Sequence, residues 1–270
     1  MKELIFQDIE KNQSAEQKTN ILRENLQVII LKELSDRGMF KNISFVGGTA
    51  LRIVHGLNRF SEDLDFSLTL KKGFDFDAMC QGLYNSLNKS GIEYNKKTGG
   101  QAVKFLFLKF PGLIAQAGAG SMKSQNISVK IEVDMNPPGG WRNETVLINK
   151  FYIFQLNCHD LPSLFSGKLH ACLFRKYSKA RDYYDLLWYL TKKVTPNYKM
   201  LSNAARQTEN KEAVYDSANL PAALLKRLEK VDFKQVKSDV EKFLINRNEA
   251  QMLTLPVFKQ LVKNNSWSGE

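Results

Sequence analysis

Phe45-Val-Gly-Gly-Thr-Ala-Leu-Arg52 and, a few residues on, Phe60-Ser-Glu-Asp-Leu-Asp-Phe66 form the stretch on which the reading of this chain turns. A Gly-Gly turn that opens a helix presents unpaired backbone N–H groups, and the helix dipole favours an anion at the same place. Gly47-Gly48 is therefore a phosphate cradle. Phe60 to Leu68 reads as a strand with alternating faces, which puts Asp63 and Asp65 on one side and Leu64 and Phe66 in the core. Two carboxylates on one strand face, beside a glycine cradle, suit a divalent metal and a triphosphate. The chemistry implied is nucleotidyl transfer.

Transfer of a phosphoryl group to a hydroxyl depends mainly on positioning and charge neutralisation, with two cations about 4 Å apart holding the attacking and leaving oxygens. Magnesium prefers carboxylate oxygens and keeps several waters, so two or three acids suffice. Asp63 and Asp65 supply two. A third would come from a neighbouring strand, and Ile127 to Asp134 alternates so that Ser128, Lys130, Glu132 and Asp134 face outward. Glu132 and Asp134 are both candidates there.

Working outward, Ile21, Leu22, Leu26, Ile29, Ile30 and Leu34 recur at helical spacing, which predicts a helix over about 14–37 with Ser14 as N-cap. A strand over 43–46 delivers the glycines, and a helix over 49–55 ends at Gly56. A helix over 75–90 and a strand over 103–110 follow. A glycine-rich loop, 111–120, precedes the strand at 127–134. Pro137-Pro-Gly-Gly140 marks a transition. Beyond residue 160 the pattern is helical, over 164–177, 182–191, 197–209, 222–230 and 234–246, with a polar, frayed tail at 264–270. The layout predicts an α/β (α+β) domain over 1–150 and a helical domain over 151–270.

The chain has 270 residues, a net charge of +11 and a pI near 9.4. An excess of Lys and Arg favours phosphate backbones, which agrees with a nucleic-acid substrate. Three cysteines without paired spacing argue against a disulfide framework, and no apolar run is long enough to span a bilayer. The expectation is a cytoplasmic protein with no membrane partner. Cys158-His159 and His170-x-Cys172 lack the spacing of ordinary zinc sites. His55 reads as a helix-end packing residue. Arg52 and Arg59 could touch phosphate or bridge to acids, and Tyr183, Tyr184, Leu187 and Trp188 read as core.

The run Gly47 to Phe66 resembles the signature of the AbiEii/AbiGii toxin family of nucleotidyltransferases, which includes MenT-type toxins and belongs to the DNA polymerase β-like superfamily. Lys168-Leu-His-Ala-Cys-Leu-Phe-Arg175 and Lys179-Ala-Arg-Asp-Tyr-Tyr-Asp185 are similar to the family's third and fourth motifs. The resemblance covers roughly residues 43 to 190 in four pieces. It implies a polymerase β-like core of a small mixed sheet flanked by helices. It implies that Gly47, Gly48 and Thr49 hold nucleotide phosphates, with Ser61 assisting, and that Asp63 and Asp65 bind metal. Lys168 would neutralise the triphosphate, and Asp182 would activate the acceptor hydroxyl or orient Lys168. Arg181-Asp182 could equally be a structural ion pair.

The same resemblance implies an enzyme that moves NMP from an NTP to an acceptor hydroxyl with Mg2+ or Mn2+. The acceptor expected is RNA, with tRNA 3′ ends foremost, and the setting is a toxin–antitoxin or abortive-infection system with a cognate antitoxin protein. Rival readings are nucleotide transfer to a protein or small molecule, and a non-catalytic nucleotide-binding (GTP-binding) module.

Overall fold

The alternation at Asp63-Leu-Asp-Phe becomes the middle of a seven-stranded mixed sheet. The computed structural model describes residues 2–120, 126–177, 179–209 and 213–268. The strands are β1 (Ile43–Val46), β2 (Asp63–Leu68), β3 (Asn95–Gly99), β4 (Val103–Pro111), β5 (Asn126–Asp134), β6 (Asn143–Lys150) and β7 (Tyr152–His159). Their order is β3-β4-β5-β2-β1-β7-β6. β2 pairs antiparallel with β1 and parallel with β5, and β4 bridges β5 and β3 in antiparallel register.

One face of this sheet is apolar. Leu64, Phe66, Leu106, Leu108, Phe110, Ile127, Val129, Ile131 and Val133 are all buried. The long helix α1 (Ala15–Asp36) packs against β5 and buries Leu22, Leu26, Ile29, Ile30 and Leu34. Its start is the expected one. The Gln17 N–H donates to Ser14 Oγ at 3.2 Å, and the Ser14 N–H donates to Gln17 Oε1 at 2.8 Å, a reciprocal capping box. α2 (Gly47–His55) begins two residues earlier than the pattern predicts, because the glycines themselves form its first turn. It ends at Gly56, whose φ of +71° closes the helix. α3 (Phe76–Lys89) is capped by Asp75, and a single turn, α4 (Leu113–Gln116), interrupts the glycine-rich loop.

Three strands carry no clear sequence signal. β3 is Asn-Lys-Lys-Thr-Gly, exposed throughout, an edge strand without an apolar face. Lysines on such an edge discourage pairing with other chains. β6 and β7 are joined at Phe151, a non-glycine residue with φ of +63°.

The remaining helices are α5 (Leu161–Phe174), α6 (Ala180–Thr191), α7 (Tyr198–Glu209), α8 (Leu220–Leu228), α9 (Phe233–Val240) and α10 (Leu255–Asn264). α10 and the segment after it correct the expectation of a frayed tail. Trp267 is buried, its indole N–H donates to the Val262 carbonyl at 2.8 Å, and the Tyr198 hydroxyl donates to the Trp267 carbonyl. Residues 269–270 of that expected tail lie outside the described residues.

The chain divides into two contact units. The first comprises residues 1–56, 60–137 and 144–158; the second comprises 57–59, 138–143 and 159–270. Residue 150, the expected domain boundary, is the last of β6. No helix among the described residues is long and apolar enough to cross a membrane.

Candidate active site

In the first unit the site is built around Gly47. Its φ is +79°, a conformation that disfavours any side chain. A Cβ at this position would also come within 3.0 and 3.1 Å of Asp65 Cβ and Cγ. Glycine thus lets the first turn of α2 lie directly against the Asp65 carboxylate. The residue before it, Val46, offers no side-chain cap to the first N–H groups of α2. Thr49 is buried and its hydroxyl donates to the Asp63 carbonyl oxygen. That bond fastens α2 to β2 through the Thr49 side chain. The Ser61 carbonyl accepts from Gln27 Nε2 at 3.1 Å, which fixes the approach to β2.

Asp63 and Asp65 project from the polar face of β2, as alternation requires. The register places the two candidates for a third carboxylate differently. Glu132 lies opposite Asp65, whereas Asp134 lies opposite Ser67 and accepts the Asn136 N–H at 2.9 Å. Glu132 is thus the strand neighbour of the Asp63–Asp65 pair. It is held by Lys130, with 2.7 Å between Nζ and Oε1. Lys130, opposite Asp63, keeps its ammonium above the ordinary lysine range through the hydrogen bond to Glu132, with Asp63 and Asp65 adding attraction. Among the described residues no three His, Cys, Asp or Glu side chains are gathered into a ready-made metal cage. Two carboxylates suit magnesium, which fills its other positions with water and phosphate oxygens.

Arg52 turns away to bridge an acid. Its Nε lies 2.7 Å from Glu24 Oε2, its guanidinium stacks 5.0 Å from the Phe60 ring centroid, and Lys150 holds the other Glu24 oxygen at 2.9 Å. His55 ends α2, where burial lowers its pKa.

The second unit holds a network of five charges. Lys168 Nζ lies 2.7 Å from Asp182 Oδ1 and 2.7 Å from Asp185 Oδ2. Arg175 reaches Asp182 Oδ2 at 2.5 Å. Arg59 makes two parallel hydrogen bonds of 2.6 Å to the two Asp185 oxygens. The spacing of Lys168 and Arg175 predicts a shared helix face, and both meet Asp182 from α5 and its end. Asp182 pairs with these two cations, and Arg181 lies 4.4 Å from the Phe243 ring centroid. Burial pulls Lys168 towards the neutral form, but Asp185 and Asp182 outweigh it and hold the ammonium above its usual range. Burial likewise opposes the Asp182 carboxylate, and Lys168 and Arg175 hold it below the usual range.

The Arg59–Asp185 clamp escapes sequence reading because 126 residues separate its partners. The β5 alternation places Lys130 on the same face as Glu132, but its position beside Asp63 comes from the pairing of β5 with β2. Tyr183 and Tyr184 are core, as expected, and His170 and Cys172 lie on the Lys168 helix.

A mixed sheet with paired carboxylates beside a glycine-led helix is an arrangement suited to nucleotidyl transfer. The family model for the nucleotidyl transferase AbiEii toxin of type IV toxin–antitoxin systems matches residues 29–264, and the chain belongs to that family. The fold is shared with solved structures, two of which follow. JHP933 from Helicobacter pylori superposes with a TM-score of 0.53 at 21% identity, covering 91% of this chain and 92% of its own. A candidate nucleotidyltransferase from H. pylori gives 0.53 at 20%, covering 91% and 95%. None of the curated proteins compared with the chain matches it.

Proposed function

We propose that the chain transfers NMP from an NTP to the terminal hydroxyl of an RNA, with tRNA 3′ ends as the foremost acceptor, in a magnesium- or manganese-dependent reaction. A bond forms between the acceptor oxygen and the α-phosphorus, the α–β phosphoanhydride breaks, pyrophosphate leaves, and the hydroxyl proton passes to solvent. The observation that carries the reading is the placement of Asp63 and Asp65 on one strand face with Asp65 against the Gly47 turn.

Asp63 and Asp65 would hold the metal, with Glu132 available once Lys130 releases it. A bound cation neutralises phosphate oxygens and acidifies the attacking hydroxyl. The N–H groups of Gly47, Gly48 and Thr49 donate to the phosphates. Lys168 stays charged at neutral pH, as a group that neutralises a triphosphate must be. Asp182, gripped by two cations and held acidic, is a poor general base. Its role is to orient Lys168. The family supports an antitoxin protein as partner.

The test is incubation of the protein with each α-labelled NTP, magnesium and total bacterial RNA. Label in tRNA-sized bands, lost in Asp65→Ala, is the expected result. Label in a protein band moves the acceptor to a polypeptide, and nucleotide binding without transfer to any acceptor contradicts the reading.

A further inference from the structure

The sheet face that carries Asp63 and Asp65 continues outward across three more strands. Asp63 on β2 is opposite Lys130 on β5, Lys130 is opposite Phe107 on β4, and Phe107 is opposite Lys97 on β3. The next row runs Asp65, Glu132, Phe105, Gly99, and the row on the other side runs Ser128, Lys109, Asn95. Residues directly opposite in a sheet project to the same face. The alternate residues of β4, Leu106, Leu108 and Phe110, are fully buried on the other face. Phe105 and Phe107 therefore stand half-exposed on the polar face, away from the core.

Their surroundings are basic. Lys130 Nζ lies 5.1 Å from the Phe105 ring centroid, and Lys109 Nζ lies 5.5 Å from that of Phe107. Lys97 and Lys109 are exposed. Gly99 makes room for one ring, since a Cβ there would come within 2.9 and 3.0 Å of Phe105 ring atoms. Two aromatic faces flanked by three lysines match the chemistry of an unpaired polynucleotide, whose bases stack on rings and whose phosphates seek cations. A duplex, with its bases already stacked, gains nothing from the rings.

We propose that this face of β3, β4 and β5 is a platform for an unpaired polynucleotide strand, with bases on Phe105 and Phe107 and phosphates along Lys97, Lys109 and Lys130. The inference rests on the nucleotidyl-transfer reading for the strand's role as acceptor. With strands about 4.8 Å apart, Phe107 lies roughly 10 Å from Asp63. A strand lying on the rings presents its next nucleotides to the carboxylates.

The test measures binding of a 5′-fluorescein-labelled ten-nucleotide single strand, as RNA and as DNA, and of the same sequence as a duplex, to the full chain by anisotropy. The wild type should prefer the single strand to the duplex, and the RNA and DNA arms tell which sugar it takes. Phe105→Leu and Phe107→Leu should each weaken single-strand binding roughly tenfold, while Phe107→Tyr, which keeps a ring, retains it. Lys97→Glu and Lys109→Glu, at exposed positions that leave the core intact, should each lower the salt dependence by about 0.7 or more in log–log slope. The NTP-induced shift in melting temperature should stay at the wild-type value in all of them. Leucine variants that bind as well as wild type, or equal binding of duplex, overturn the platform. Transfer of label from NTP to any acceptor is scored on the same preparations. Active transfer with ring-insensitive binding overturns the platform alone. Ring-dependent strand binding without transfer upholds the platform and overturns the reaction.

Discussion

Arg59 and Asp185 show how much one pair of residues decides. Their side chains are 2% and 0% exposed, so either charge left alone would be buried without compensation. Arg59→Ala should destabilise the protein by about 3–5 kcal/mol in urea unfolding. Arg59→Lys should recover only part of that, since one ammonium cannot reproduce a two-point guanidinium contact. Lys168→Met should cost less stability, because Asp182 keeps Arg175 and Asp185 keeps Arg59, yet it should abolish transfer. Equal destabilisation by Lys168→Met and Arg59→Ala would assign Lys168 a structural role only. Gly47→Ala should cost about 1–3 kcal/mol from the left-handed backbone alone. It also pushes on Asp65, so transfer measured well below its melting temperature should fall by more than the stability loss explains.

Among the elements, the strongest repeats are the legible ones. α1 is readable because its apolar residues recur every three to four positions and Ser14 and Gln17 close its start. Ser14→Ala should lower stability by about 1 kcal/mol in thermal melts, and no change would mean that the reciprocal cap is energetically idle. β5 is readable because its outward residues are all polar and its inward ones all apolar. β3 is not, since an exposed edge strand needs no apolar face. The β6–β7 hairpin hides behind a turn led by Phe151 rather than by glycine or asparagine. α10 is short and lies beside a polar tail, which masks a usable signal: Thr254 caps it, Pro256 lies in its first turn, and Phe258 and Val262 are buried four residues apart. The candidate site follows the same rule. Gly47, Asp63 and Asp65 fall within twenty residues, and local periodicity places them. Arg59 meets Asp185, and β5 brings Lys130 to Asp63, through tertiary pairing that no local pattern encodes.

At the scale of the whole molecule, stability should respond to acid through His159. Its ring stacks on Trp141 at 5.4 Å, its Nε2 is buried without a hydrogen-bond partner among the described residues, and burial lowers its pKa to about 4, against a small opposing pull from Asp160. The unfolded chain, with an ordinary histidine near 6.5, binds the proton first. Folding free energy should therefore decline as pH falls from about 6.5 to about 4, by about 3 kcal/mol at most from this group. His159→Phe keeps a ring against Trp141 and should flatten that slope in pH-dependent urea unfolding; an unchanged slope would assign it to other groups. Asp182 adds a second acid-sensitive contribution. Its lowered pKa gives stability that is full above the ordinary carboxylate range and is lost as pH falls through the folded value.

If Asp63 and Asp65 hold the catalytic metal, this member of the AbiEii family is a metal-dependent nucleotidyltransferase. The most direct measurement is pyrophosphate release from NTP in the presence of magnesium and RNA, for wild type, Asp63→Asn and Asp65→Asn, with melting temperatures in parallel. The wild type should release pyrophosphate only with metal, and both variants should lose at least about a hundredfold at near-native stability. Release that survives in the asparagine variants, or that proceeds unchanged in EDTA, would contradict that role for the two carboxylates.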